Sequence, residues 1–426
     1  MGPEVTREPP PPRWYDGRRH AAVRTDDYRF NQLIPYIGNK RRLLDLIGSA
    51  VAATAPPEGA LFLDLFAGSG VVSRYAKQLG LTVVANDWEP YCRAINTCAI
   101  SCNRAPPFAA LGGYEAAIAR LNALPPRVDW VTRHLCPADD RDFDPDAERL
   151  FYMRKNGMRI DAIRHRIAVW SRRGVIDERE EACLLAPLLY QACYRSNTSG
   201  VFKGFHRGWG GATGTALYRI ATDLVLSPAV FCDNGRENRV TCADAEAAAR
   251  QWRGAGVHAA YLDPPYNQHP YGSNYHVLNS IALWDKPAVS PVICRGQKSA
   301  IRTDWRTQRR SPYNHRGEAA AAYRRLLDAL DARYILTSYS TDGTIGLDDL
   351  LAANLERGPV RLFLKGYKRY RVSSQRFSPK PMNVEFVLVI DTRAARRRRQ
   401  SVGALRRAIE SAERRVLDGH PEFARG

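Results

Sequence analysis

The sequence predicts an α/β protein, a doubly wound sheet interrupted by an inserted, mainly helical domain. Three observations carry that expectation. A buried-strand run turns through glycines into a helix between Leu61 and Leu79. A second apolar run, Thr82 to Ala85, ends in an acidic tip. A third, His258 to Leu262, arrives only after a long insert. Short apolar runs bounded by turn residues are what strands buried on both faces require.

Taken in order, Leu61, Phe62, Leu63, Asp64, Leu65 and Phe66 read as the first strand, Ala67 to Gly70 as a turn, and Val71 to Leu79 as an apolar-periodic helix. Gly68 and Gly70 let the backbone approach a ligand at the carboxyl end of the strand, where open α/β sheets bind cofactors. Their spacing is not G-x-G-x-x-G, which argues against a nicotinamide enzyme. Asn86, Asp87, Trp88 and Glu89 follow the second strand. A carboxylate there can accept from both hydroxyls of a ribose, and Trp88 can flank an adenine ring. Asp87 also fits as a cap for a helix starting near Pro90, and the two roles are compatible.

The insert, roughly Cys102 to Thr241, is too long for a simple connection and should hold structure of its own. Arg149 to Trp170 reads as a basic helix, and Asp177 with Glu180 as a capping-box start to a more apolar helix through Tyr194. A polar, glycine-rich loop follows, Tyr194 to Gly204, in which Arg195, Asn197 and Lys203, with Arg207 just beyond, carry side chains suited to bases or phosphates. A surface loop with no such role is the plain alternative. Tyr334 to Ser340 reads as another core strand and Val384 to Ile390 as the last. Between them, Lys365 to Arg371 and Arg376 to Pro381 interleave cations with aromatics, which suits phosphate contact and stacking or, equally, a solvated hairpin. From Arg393 the chain turns strongly basic, with Arg396 to Arg399 in a run, and reads as a solvated helix or tail that adds non-specific affinity for a polyanion. Neither that tail nor the first thirty residues is expected to define the fold.

The strand His258 to Leu262 ends in Asp263, Pro264, Pro265 and Tyr266. An exocyclic amine on a base is a poor nucleophile because its lone pair is delocalised into the ring. The Asp263 carboxylate and the Pro264 carbonyl can each accept one N–H and localise that pair. The two prolines fix φ and bring no competing N–H, and Tyr266 offers a face for a base taken out of its stack. Asp and Pro are also ordinary turn residues, so this tetrad alone is equally a strand-ending turn.

Together, F-L-D-L-F-A-G-S-G (Phe62 to Gly70), N-D-W-E-P (Asn86 to Pro90), D-P-P-Y (Asp263 to Tyr266) and P-Y-I-G-N-K-R-R-L-L (Pro35 to Leu44) resemble the motifs of S-adenosylmethionine-dependent DNA adenine-N6 methyltransferases, in the order of the alpha, Dam-like group. The likeness spans about residues 31 to 391, and it implies that Val384 to Ile390 close the sheet as its edge strand. It implies a Rossmann-like methyltransferase sheet formed by 31–104 and 240–391, an inserted target-recognition domain at 105–239, an N-terminal extension 1–30 and a basic tail 392–426. It implies S-adenosylmethionine as cofactor, held by Tyr36, Lys40, Asp64, Phe66, Gly68, Gly70, Asp87 and Asp263, with Lys40 a partner for the methionyl carboxylate. Tyr36 and Lys40 would share a helix face one turn apart. Asp263, Pro264, Pro265 and Tyr266 would be catalytic, and Arg195, Asn197, Lys203 and Arg207 would contact duplex DNA. Tyr36 is a departure, because close Dam relatives carry Trp there. A cognate restriction endonuclease would accompany such an enzyme.

Composition agrees. Lys plus Arg exceed Asp plus Glu by 63 − 44 = 19, so a polyanionic partner is expected. At 426 residues, two domains and a tail are expected. No apolar run reaches the ~18 residues of a membrane span, and Pro9 to Pro12 sit where a signal-peptide core would be, so a cytoplasmic protein is expected. The nine cysteines lack C-x-x-C pairs and read as free thiols, not a disulfide framework or zinc site. His269 and His276 lack an acidic or cysteine partner nearby in sequence, so no metal is expected. Rival readings are methylation of the cytosine amine or of RNA on the same fold, and a non-enzymatic DNA-binding module. The last would predict loss of the Asp263 carboxylate or the cofactor glycines, and both are present.

Overall fold

A computed structural model describes residues 28–290, 293, 302–368, 382–394 and 400–418. Seven strands form one sheet: β1 (Leu61–Asp64), β2 (Thr82–Asn86), β3 (Arg239–Thr241), β4 (Val257–Leu262), β5 (Ala332–Ser340), β6 (Val360–Lys368) and β7 (Met382–Asp391). Their spatial order is β3-β2-β1-β4-β5-β7-β6. The first five run parallel, with Leu63 beside both Val84 and Ala260, and β7 runs antiparallel to β5 and β6.

Both faces are covered, which is why the strands read as unbroken apolar runs. On one face Leu63, Val84, Ala260 and Ile335 pack with the helices Ala245–Gln251, Arg316–Ala329 and Leu347–Arg357. On the other, Phe62, Val83, Ala259 and Leu336 pack with Leu44–Ala52 and Val71–Gln78. The turn between β1 and its helix depends on Gly70, at φ +80°, where a Cβ would lie 2.1 Å from Asn96 Oδ1. No side chain fits there.

The structure corrects the sheet's far side. Val384 to Ile390 belong to the last strand, but that strand is interior: β6 returns along its outer side and forms the edge, pairing Lys365 with Glu385. The basic-aromatic stretch at Lys365 therefore begins inside a strand, while Arg369 to Pro381 lie outside the described residues. Strand β3 is three residues long, too short for a hydrophobic period to show.

Between β2 and β3 the insert is helical, with Tyr114–Asn122, Trp130–Leu135, Arg154–Arg172, Glu178–Tyr194 and Leu217–Ala221. Asp177 Oδ1 accepts from Glu180 N (2.8 Å) and Glu180 Oε2 from Asp177 N (3.0 Å), the capping box expected from sequence. The basic helix starts later than Arg149, which instead lies buried in the preceding loop. A single hydrophobic cluster joins Ile163, Leu184 and Leu188 of the insert to Tyr91 and Ile95 after β2 and to Val277 and Ile281 after β4.

Both chain ends contribute more than expected. Tyr28, placed in the N-terminal extension, is buried and donates to the Ala99 carbonyl (2.6 Å). The helix Val402–Asp418 docks on the sheet through Leu405, Ile409 and Ala412, and Gln400 hydrogen-bonds both backbone groups of Val360. Three apolar residues at helical spacing suffice for a narrow buried stripe, and the arginines around them hide it from a composition reading. The run Arg396 to Arg399 lies outside the described residues. Ile409 is fully buried, so Ile409→Ala should lower the unfolding free energy by about 2–4 kcal/mol in urea titrations; an unchanged midpoint would mean that the helix is not docked.

Candidate active site

The carboxyl ends of the parallel strands open into a cleft of about 750 Å³, mouth included, whose lining includes Phe66, Asp87, Trp88, Asp244, Asp263 and Tyr313. Gly68, at φ +51°, stands so close to Tyr36 that a Cβ would lie 2.8 Å from its ring. Tyr36 forms a cluster of near-parallel rings with Tyr271 (5.0 Å) and Tyr275 (5.1 Å), which are themselves 6.2 Å apart. Phe66 meets Tyr313 edge-on at 5.4 Å. The Asp87 carboxylate accepts from the backbone N–H of Gly68 (2.8 Å) and of Glu89 (2.9 Å), tying the glycine turn to the tip of β2. The helix Pro90–Asn96 has Glu89 at its N-cap position with no side-chain cap bond, so Asp87 secures the turn rather than that helix.

Asp64 departs from the sequence expectation. Its carboxylate is buried at the base of the turn and accepts from Ser73 Oγ (2.6 Å), while the next two residues, Leu65 and Phe66, reach the cleft. Burial pushes its pKa up to about 7 against the Ser73 hydrogen bond. Asp64 braces the glycine turn from below.

Lys40 departs as well. Asn39 caps a short 3-10 turn, Lys40–Leu43, so Tyr36 and Lys40 do not share one helix. The Lys40 ammonium, 4% exposed, lies 3.1 Å from Asp263 Oδ1 and 3.8 Å from Glu385 Oε2. It donates to Tyr266 Oη (2.6 Å) and sits 4.3 Å from that ring's centre. Burial raises the Asp263 pKa, and the lysine and Tyr266 oppose the rise. Tyr266 packs edge-on against Tyr339 (4.7 Å), and its carbonyl accepts from Thr344 N (2.9 Å) and Oγ1 (2.8 Å). The D-P-P-Y loop is thus held at its acid, at its ring and at its last carbonyl. Pro264 is buried and Pro265 lines the cleft.

Of the insert residues, the structure brings Lys203 to this region: its ammonium lies 3.3 Å from His269 Nδ1 in the loop after Tyr266. The loop is docked there, with Phe202 N donating to Asn274 O (2.7 Å) and His276 Nε2 2.8 Å from Phe202 O. Asn197 is fully buried and its amide is spent on the loop itself, donating to the carbonyls of Leu150 (3.0 Å) and His206 (3.1 Å) and accepting from Gly210 N (3.1 Å). It shapes the loop instead of facing outward. Arg195 donates to Arg219 O (2.9 Å), and Arg207 is exposed and forms a two-pronged pair with Asp146 (2.8 and 2.5 Å). Burial lowers the His276 pKa to about 4, so the ring is neutral. Among the described residues no group of three or more His, Cys, Asp or Glu could hold a metal ion, and no helix is long and apolar enough to cross a membrane.

Sequence reasoning missed Glu385, Glu89 as a cleft residue, and Arg309. Glu385 had a legible signal, a single acid inside V-E-F-V-L-V-I. Glu89 lines the cleft and accepts from Asn279 Nδ2, with the Arg309 guanidinium 4.0 Å away. Arg309 follows a stretch without periodicity, and nothing in its surroundings in sequence marks it.

A mostly parallel sheet with a glycine turn after β1, an acid after β2 and D-P-P-Y after β4 is the arrangement of a Rossmann-like methyltransferase acting on a base amine. The chain belongs to the D12 class N6 adenine-specific DNA methyltransferase family, whose model matches residues 36–299. It is therefore an enzyme that uses a methyl donor. Similar proteins include Type II methyltransferase M.NlaIII of Neisseria lactamica, 31% identical over 340 residues, 79% of this chain and 92% of that protein. Type II methyltransferase M.CviAII of Paramecium bursaria Chlorella virus 1 is 28% identical, over 79% of this chain and 93% of the relative. Modification methylase StsI of Streptococcus sanguinis is 29% identical over 74% of this chain, which spans only 45% of its length.

Burial raises the Glu89 pKa from the ordinary 4.5 to about 7 despite the Asn279 hydrogen bond. A raised carboxylate favours folding most below its unfolded value, and that contribution is lost as pH rises through about 7. Glu89→Gln should therefore gain on the wild type in urea unfolding between about pH 5 and about pH 8; a difference that stays constant with pH would show that Glu89 is not buried as described.

Proposed function

We propose that the chain methylates N6 of an adenine extruded from duplex DNA at a specific sequence, using S-adenosylmethionine, as the modification partner of a restriction endonuclease. The observation that carries this reading is the Asp263 carboxylate, fixed beside Lys40 and lining the same cleft as Phe66 and Asp87. The cleft's chemistry fits that cofactor: Phe66, Trp88 and Tyr313 are faces for an adenine ring, and Asp87 and Asp244 are acceptors. Tyr36, Phe66, Gly68, Gly70, Asp87 and Asp263 are its proposed contacts, with Asp64 and Lys40 holding those contacts in place. When bound, the cofactor supplies an electrophilic methyl group.

The chain's own residues do the rest. Asp263 accepts one N–H of the amine and the Pro264 carbonyl the other, so that the nitrogen lone pair is localised for attack. Pro265 stiffens the loop, and Tyr266, immobilised by Tyr339 and Lys40, supports the face of the extruded base. Residues 105–239 are the proposed target-recognition unit. Lys203 grips a phosphate near the target, Arg195 and Arg207 contact DNA from the same loop, and Asn197 sets that loop's shape.

Incubation with methyl-labelled S-adenosylmethionine and unmethylated genomic DNA, followed by nucleoside mass spectrometry and methylation-sensitive sequencing, tests the proposal. Label on adenine at one sequence is expected, whereas label on cytosine or only on RNA would overturn it. With cofactor saturating and its affinity measured separately, Asp263→Ala should lower transfer by at least roughly 100-fold, the scale of losing a preorganised acceptor. Lys203→Gln should weaken specific and non-specific DNA alike and reduce the slope of log K against log salt by about 0.9, one phosphate contact. A change of sequence preference at constant slope would make Lys203 a base reader instead.

A further inference from the structure

Strand β7 buries Val384 and Phe386 completely, and between them stands Glu385, the single charged residue from Val384 to Ile390. It pairs with Ser340 of β5 and Lys365 of β6, so it is an acid in the interior of the sheet, and its side chain is 12% exposed. An ionised carboxylate in such a place needs a partner. The group beside it is Lys40, whose ammonium also serves Asp263 and Tyr266. One nearly buried cation thus stands between two carboxylates from different strands. Asp263 alone would neutralise Lys40, so the second acid is in excess of what burying the lysine requires.

Resting on the adenine methyltransferase reading, we propose that Glu385 is a positioning residue for methyl transfer: it shares the Lys40 ammonium with Asp263, anchoring the lysine behind the catalytic carboxylate so that Asp263 stays aimed at the amine and stays basic enough to accept from it. An ammonium held by Asp263 alone follows that carboxylate and draws its electron density. Held from the other side by Glu385, it remains in place while an Asp263 oxygen accepts the N–H. The charged and titratable groups around this cluster are Lys40 from the turn after Asn39, Asp64 from β1, Tyr261 from β4, Asp263, Tyr266 and Tyr271 from the segment after it, Tyr339 from β5, Lys365 from β6, which is paired with Asp45, and Glu385 itself from β7. Burial raises the Glu385 pKa, Lys40 opposes the rise and Asp263 adds to it.

Single-turnover methyl transfer measured against pH, with cofactor affinity measured separately, tests the proposal on Glu385→Gln and Glu385→Asp. Glu385→Gln should slow the chemical step by about tenfold or more, with cofactor affinity unchanged within about twofold. It should also move the acid limb of the rate profile to lower pH, because Asp263 beside an unopposed ammonium ionises more easily. Glu385→Asp keeps the charge with a shorter reach, so it should be slowed less, with the acid limb unmoved. A wild-type rate and limb in Glu385→Gln would overturn the proposal, as would an equal limb shift in both variants. Should Glu385→Gln not fold, a wild-type rate in Glu385→Asp would overturn it. The wild-type control separates the two ideas: label on adenine by the wild type with no effect of either variant sinks the role of Glu385 alone, and absence of adenine label sinks the underlying activity.

Discussion

Burying a carboxylate beside a cleft that must also admit a neutral amine sets the constraint on which this structure depends. An isolated buried carboxylate takes up a proton, and a protonated acid no longer accepts as a carboxylate does. Lys40 resolves this for Asp263 at 3.1 Å. Bringing it there requires the turn after Asn39 to lie across the carboxyl end of β4, which in turn requires Tyr36 to pack over Gly68 and against Tyr271 and Tyr275. The desolvation penalty is several kcal/mol per ion and is offset only by good geometry on every side. That accounts for the density of contacts around Tyr266, which receives the lysine on its hydroxyl and Thr344 on its carbonyl.

What could be read from the sequence follows from how local each cause is. The strand–glycine–helix unit at Leu61 to Gln78 was legible because β burial and the demand for φ > 0 at Gly70 act over a few residues. The Asp177–Glu180 capping box was legible for the same reason. Partners set by tertiary pairing were not. Nothing near Lys40 in sequence announces that its ammonium meets Asp263 and Glu385, residues more than two hundred positions away. Asn197 sits in a loop whose polar composition suggests outward function, yet an amide with two donors and an acceptor can equally satisfy the loop's own backbone. The interior place of β7 depends on β6 returning beside it, and β6 carries lysines that disguise a strand.

The apolar cluster shared by the insert and the helices flanking β2 and β4 bears on the role in DNA recognition proposed for the insert. A target-recognition unit on a hinge would leave its loop free to move relative to the cleft. Here the helix Glu178–Tyr194 packs in the same cluster as Tyr91, Ile95, Val277 and Ile281, and the loop leaving it is bonded to the segment after D-P-P-Y through Phe202 with Asn274 and His276. With His276 neutral, its contact with Phe202 carries no charge that a change near physiological pH would alter.

A packed path therefore runs from the loop holding Lys203, through Phe202 and Asn274, to Tyr271 and Tyr275, on to Tyr36 and finally to the glycine turn. Contiguity of this kind is not coupling, which needs an element with two arrangements that both ends bias. The stacked tyrosines are wedged against Gly68, whose missing Cβ leaves no slack, and Tyr271 Oη and Tyr275 Oη are each tied to the backbone of Ile37. Such a path resists a second arrangement. It transmits position: the loop proposed to grip DNA and the cradle proposed to hold the methyl donor are kept at a set separation, which in-line transfer between two separately bound reactants requires.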